Sequence, residues 1–281
     1  MPPRPNPTIR QVRLGAELRK LREAAGVSNR DAAEFLNTSP TQVSHIEAGR
    51  FGISEDRLRA LTGLYACCDA QLIDVLVEMA SDRGKGWWEE YRGVIRPRAL
   101  DLAELEQHAL YIRTFQVVHV PGILQIEEYV RTASVFVEPD RPESEHEARV
   151  AFRMRRREVL ESGMPYDAII HEAALRMGVG GPKVARAQLE HLLKSAERPN
   201  ITIRVVPFAA DGFAGAGFPM QYLGGAIPQL DTVQTDTPHG AEFIDAAAQL
   251  NRYRALLERV DSTALAVDAS LNLVRRIAQE L

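Results

Sequence analysis

Between Ser39 and Arg50 the chain reads Ser-Pro-Thr-Gln-Val-Ser-His-Ile-Glu-Ala-Gly-Arg. The carboxamide of Gln42 pairs a donor with an acceptor, the arrangement that matches an adenine edge. Thr41 offers a methyl to thymine or a hydroxyl to either neighbour, and His45 adds ring nitrogens. At helical spacing these polar residues share one side, and the apolar Val43 and Ile46 share the other. Ser39 is a residue type that caps a helix start, and Pro40 suits the first helical position. Gly49 supplies the stop. A short helix that hides one face and offers hydrogen bonds on the other suits the DNA major groove.

Other fragments that invite chemistry fail on spacing. His171-Glu172-Ala173-Ala174-Leu175 has Leu where a zinc-protease helix needs its second His. Gly178-Val179-Gly180-Gly181-Pro182-Lys183-Val184 lacks the spacing of a phosphate loop, and Pro182 removes an N–H donor. Gly212, Gly215 and Gly217 are followed by Met220 where a dinucleotide fingerprint needs its last Gly. Cys67 and Cys68 are adjacent, which suits neither an ordinary disulfide nor a zinc site. The histidines at 45, 108, 119, 146, 171, 191 and 239 form no metal pair. The expectation is no enzyme, no catalytic residue, no metal and no cofactor.

The elements that must position the Ser39–Arg50 helix are helices themselves. Leu14, Leu18, Leu21 and Ala25 recur at helical spacing from Ile9 until Gly26 stops them. Ser28 caps a second helix, Asn29 to Leu36, with small residues at Ala32 and Ala33. Ser54 caps a fourth, and a fifth runs from Asp69 to Ser81. The reading is an all-α N-terminal helix-turn-helix bundle of four to five helices over residues 9–81, behind a flexible Pro-rich arm at residues 1–8. Residues 82–91 read as a linker, in which Trp87 and Trp88 pack.

Residues 92–281 read as an α+β regulatory domain with a small sheet. A helix carrying Leu102, Leu105, Ala109 and Ile112 leads into an extended Thr114–Val118. A helix over Gln125–Phe136, an acidic surface loop over Glu138–Glu147 and a helix over Arg149–Glu161 follow. Strands are expected at Tyr166–His171, Ile201–Val206, Pro219–Leu223 and Asp231–Thr235. Helices are expected at Pro182–Ala196, Ala241–Val260 and Asp268–Leu281. The run Arg149, Arg153, Arg155, Arg156 and Arg157 reads either as a second nucleic-acid contact or as a face engaged in ion pairs.

Of the 281 residues, 45% are hydrophobic and 26% charged, which fits a packed protein and excludes global disorder. No stretch approaches the roughly 20 apolar residues of a membrane helix, and a reduced, cytoplasmic setting is the plain reading. Net charge is −4, but residues 1–66 carry +3 and the remainder −7. A basic head on an acidic body fits a DNA-binding module joined to a regulator.

Residues 14–66 resemble the XRE-type helix-turn-helix family of bacterial repressors, through Leu14-Gly15-Ala16-Glu17-Leu18-Arg19-Lys20-Leu21-Arg22, Ser44–Arg50 and Leu58-Arg59-Ala60-Leu61. Residues 87–281 resemble an antitoxin-like domain of unknown function found behind such modules, as in WhiJ-like regulators. The marks are Trp87-Trp88-Glu89-Glu90-Tyr91, Val120–Gln125, Arg149–Arg153, Val179–Pro182, Gln188–Leu192 and Arg198–Thr202. Two segments depart from that pattern: Gln125-Ile126-Glu127 and Asp231-Thr232-Val233-Gln234-Thr235. The resemblance implies transcriptional regulation through operator DNA, a homodimer, and a small cognate protein encoded nearby. It places base reading on Thr41, Gln42 and His45. Asn29, Ser44 and Arg50 fall beside the DNA backbone, Arg30 and Ser39 complete the expected DNA-binding set, and a buried ion pair maps to Arg22 and Glu47.

Three functions stay open: a sequence-specific regulator, an antitoxin-like protein that sequesters its partner, and a small-molecule-sensing repressor. For the last two, the candidate effector or partner site is Trp87, Trp88, Phe213 and Phe218, with the Gly212–Gly217 loop.

Overall fold

A computed structural model describes residues 4, 6–82, 86–212, 219–237 and 239–281. Phe213, Phe218 and residues 213–217 of the expected glycine loop lie outside the described residues. The chain divides into two units, Met1–Glu89 and Glu90–Leu281.

The first unit holds α1 (Ile9–Ala24), α2 (Asn29–Phe35), α3 (Pro40–Glu47), α4 (Glu55–Leu64) and α5 (Ala70–Ser81). Side-chain caps set four of the starts. The hydroxyls of Thr8 and Ser28 form capping boxes with Gln11 and Asp31, Ser39 accepts from the Gln42 N–H, and Asp69 accepts from the Leu72 N–H. Arg4, in the segment expected to be a flexible arm, is tied down: its N–H donates to the Arg50 carbonyl at 2.9 Å and its guanidinium to the Gly49 carbonyl at 3.4 Å. Leu14, Leu18, Val43, Ile46, Leu58, Leu61, Leu72 and Leu76 are buried in the bundle's core. Gly15 lets α1 approach α3 closely, since a Cβ there would stand 2.5 Å from the Glu47 carbonyl oxygen.

The second unit is α+β. After a short 3-10 turn at Trp87–Tyr91 come α6 (Pro97–His108), β1 (Tyr111–Gln116), α7 (Glu127–Val137), α8 (Glu143–Arg156), β2 (Tyr166–His171), α9 (Glu172–Arg176) and α10 (Gly181–Ser195). Then follow β3 (Ile201–Val206), β4 (Met220–Gly224), β5 (Thr232–Thr237), β6 (Gly240–Ile244), α11 (Ala247–Thr263) and α12 (Val267–Glu280). One mixed sheet runs in the order β3-β2-β1-β4-β5-β6. β1, β2 and β3 are parallel, with helical crossovers between them, and β4, β5 and β6 add on antiparallel.

Alternation along the strands makes two cores, one on each face. Ile112, Tyr166, Ala168, Ile170, Ile203 and Val205 face one way, with Leu189 and Leu192 of α10 and Val274 and Ile277 of α12 in the same cluster. Phe115, Ile169, Val206, Met220, Tyr222 and Val233 face the other way, against Leu250, Leu257 and Val260 of α11. The result is three layers, the ordinary way to bury both faces of a sheet.

Four expectations change. Ile112 belongs to β1 and not to the preceding helix. The acidic stretch read as a loop over Glu138–Glu147 already holds the first turn of α8, where Glu143 and Glu145 favour the helix dipole. The helix expected to reach Glu161 ends at Arg156 and gives way to a 3-10 turn over Arg157–Ser162. Ala241–Ile244, read as helix, pairs with β5 as the edge strand.

Candidate nucleic-acid interface

Ser39 starts α3 by accepting from the Gln42 N–H at 3.2 Å, with Pro40 in the first turn. Val43 and Ile46 fix its inner face in the core. On the outer side Thr41 and Ser44 are exposed, and Gln42 and His45 are half-buried. Gln42 is held in place: the Thr38 hydroxyl donates to its Oε1 at 2.5 Å, which leaves the carboxamide N–H donors unclaimed by that contact. The His45 ring lies 5.0 Å from the Phe51 ring at a tilt of 49°.

The surrounding helices bring further polar groups to this edge. Asn29, at the start of α2, donates from Nδ2 to Ser44 Oγ at 3.2 Å and links the two helices of the motif. Arg30 and Arg50 are exposed. Arg57 closes the preceding turn by donating to the Leu36 carbonyl at 3.1 Å.

Beneath this surface, Arg22 and Glu47 form a two-pronged pair. Arg22 Nε meets Glu47 Oε1 at 2.6 Å and Nη2 meets Oε2 at 3.0 Å, while Nη1 donates to the Val27 carbonyl at 3.0 Å. The hydrogen bond to Glu47 raises the Arg22 pKa above its ordinary value, and burial opposes it. Tyr65 lies close by, its pKa pushed up to about 12 by burial first and by the Glu47 charge second. Glu47 is thereby turned inward, where its charge is met by arginine and does not face a phosphate backbone.

The structure thus gathers Asn29, Ser39, Thr41, Gln42, Ser44, His45 and Arg50 around one helix of the first unit. Trp87 and Trp88 stand edge-to-face with centroids 6.1 Å apart. Sequence reading missed Thr38, Phe51 and Arg4, which orient Gln42, His45 and the end of α3. The four-residue step from Thr38 to Gln42 was a usable signal. The contacts of Arg4 and Phe51 depend on the turn after Gly49 and leave no periodic trace.

The arginine run of α8 is engaged inside its own unit. Arg149 lies 3.3 Å from Glu138, Arg153 donates to Gln125 at 3.2 Å, and Arg155 pairs with Glu90. Arg156 pairs with Glu106 at 2.6 Å, and Arg157 donates to His191 at 2.9 Å. Of its two readings, these contacts fit the paired one.

Among the described residues, no group of three His, Cys, Asp or Glu could hold a metal ion, and no helix is long and apolar enough to cross a membrane. Residues 13–76 match the family described as a helix-turn-helix domain, and residues 99–276 match a domain of unknown function, DUF5753. No curated protein and no solved structure matches the chain.

Proposed function

Since the chain belongs to the DUF5753 family and carries a helix-turn-helix domain ahead of it, we propose that it is a sequence-specific, DNA-binding transcriptional regulator. In this reading α3 enters the major groove, Thr41, Gln42 and His45 contact base edges, and Asn29, Arg30, Ser44 and Arg50 contact phosphates. The observation that carries the proposal is Gln42. It sits in the first turn of a capped helix with its carboxamide oriented by Thr38 and its donors directed away from that contact. A side chain oriented before binding loses less rotamer freedom on binding.

The same reading makes the protein cytoplasmic and dimeric, on half-sites about 34 Å apart or a multiple of that. Residues 90–281 would then set when the helix binds. The test begins by selecting bound fragments from genomic DNA and then measures affinity on operators changed one base pair at a time. Gln42→Ala is expected to cost about 1–3 kcal/mol at one operator position and to relax preference there. An equal loss on every DNA sequence would refute base reading by Gln42.

A further inference from the structure

On the face of the sheet that packs against α10 and α12, the apolar surface is interrupted by a polar row. Thr114 of β1 stands opposite Gln221 of β4, and Gln221 stands opposite Gln234 of β5. All three are buried, with Gln221 6% and Gln234 5% exposed. Unsatisfied amides in such a place cost stability, so a row of them across the middle of a sheet needs polar company. That company comes from α6 and α8. Glu106 accepts from Gln221 at 2.7 Å and takes both Nε and Nη2 of Arg156 at 2.8 and 2.6 Å. Gln234 donates to Asp236 at 2.8 Å.

The network does not close on itself. Arg156 spends two of its three nitrogens on Glu106, and its Nη1 has no partner among the described residues. Arg153, one turn earlier, uses Nη1 on Gln125 and leaves Nε and Nη2 without partners among them. Both guanidinia border the same place: a Cβ built on Gly122 would lie 4.0 Å from Arg153 Nη1 and 4.0 Å from Arg156 Nη1. Tyr166 of β2 is 2% exposed, and its hydroxyl lacks a partner at hydrogen-bonding geometry. Its pKa is raised by burial first and by the Glu106 charge second.

Arg153 shows that the cluster opens to water. Its pKa is lowered to about 10, by burial first and by the Arg156 charge second, yet the residue itself is exposed. Exposed Arg153 and buried Arg156 thus meet beside Gly122, the second joined through Glu106 to the polar row. Asp236 is also exposed and favours the charged form of Arg153.

We propose that the space beside Gly122 is a binding site for the oxyanion group of a small molecule, a carboxylate or a phosphate, clasped by Arg153 and Arg156. The planar fork of arginine matches either group with parallel N–H···O bonds. Gln125, which accepts from Arg153, stands beside the site. The proposal goes beyond DNA recognition and stands or falls apart from it.

The test titrates the full chain with sodium succinate and, separately, with inorganic phosphate, following thermal unfolding against sodium chloride of equal ionic strength. Saturable stabilisation by one anion is expected, weakened at least tenfold in Arg153→Gln and partly kept in Arg153→Lys. Succinate alone would assign a carboxylate ligand and phosphate alone a phosphate. A second measurement follows the Arg153 Nε–H resonance in the unmodified chain, assigned by its absence from the Arg153→Lys spectrum. It is expected to shift along the same titration curve. Stabilisation no greater than that by chloride, or equal in Arg153→Gln, would overturn the proposal, as would an Arg153 resonance indifferent to both anions.

Discussion

Arg157 donates to Nε2 of His191 at 2.9 Å, which obliges that imidazole to accept and therefore to stay neutral. Burial first and the Arg157 charge second lower the His191 pKa from 6.5 to about 4. Between those values the unfolded chain binds a proton that the folded chain refuses, so stability rises with pH there. The contribution is complete above pH 6.5 and lost as pH falls toward 4, to the extent of ~3 kcal/mol for a shift of this size. In His191→Gln the carboxamide oxygen can still accept from Arg157 and carries no titration. The variant should show a flatter stability profile from pH 6.5 to 4 than the unmodified chain, by urea unfolding at each pH. Parallel profiles would mean that His191 is protonated as easily in the fold as out of it. The same contact bears on the reading of α8: an arginine spent on a neutral histidine within its own domain is not presented to a phosphate.

Helices and strands were legible in proportion to how much of their identity is local. α2, α3 and α5 were read almost to their ends because their caps lie in the sequence beside them, at Ser28, Ser39 and Asp69, whereas Ser54, expected to cap α4, makes no side-chain cap bond. The edge strand β6 was read as helix because Gly-Ala-Glu-Phe-Ile runs into an Ala-rich stretch, and only its pairing with β5 makes it extended. The buried polar row was invisible for a related reason. Gln116, Gln221 and Gln234 each look like the outward residue of an alternating strand, and only the helices packed on both faces of the sheet bury Gln221 and Gln234. Close approach of elements is also non-local, and two glycines of the first unit separate its causes. At Gly15 of α1 a Cβ would meet the Glu47 carbonyl oxygen at 2.5 Å and the Ile46 carbonyl oxygen at 2.6 Å, both backbone atoms that cannot swing aside. At Gly63 of α4 a Cβ would meet nothing within 4 Å. Gly15→Ala should therefore destabilise by about 1–3 kcal/mol through overpacking. Gly63→Ala should stabilise by roughly 0.5–1 kcal/mol through helix propensity. Denaturant midpoints of both variants decide it, and a Gly15→Ala protein as stable as its parent would show that α1 and α3 can part without cost.

At the scale of the whole chain, the division into Met1–Glu89 and Glu90–Leu281 separates the helix proposed to read DNA from the proposed anion site. The two sheet-face cores draw only on residues of the second unit. The described buried side chains of the bundle come from its own helices and from Ile53 and Tyr65 beside them. A unit with its own core and capped helices has what independent folding requires. The fragment of residues 1–89 should therefore fold alone, with a helical circular-dichroism spectrum and a cooperative melt. Every side chain assigned to base reading lies between Thr41 and His45, so the fragment should keep the full chain's ratio of affinities for an operator and for its single-base variant at the Gln42 position. In calorimetry of the full chain, Gly15→Ala should lower only the transition assigned to residues 1–89 and leave the other in place. One transition that moves as a whole would show that the units unfold as a single cooperative body. A fragment that binds both operators equally would mean that residues 90–281 take part in selecting the sequence.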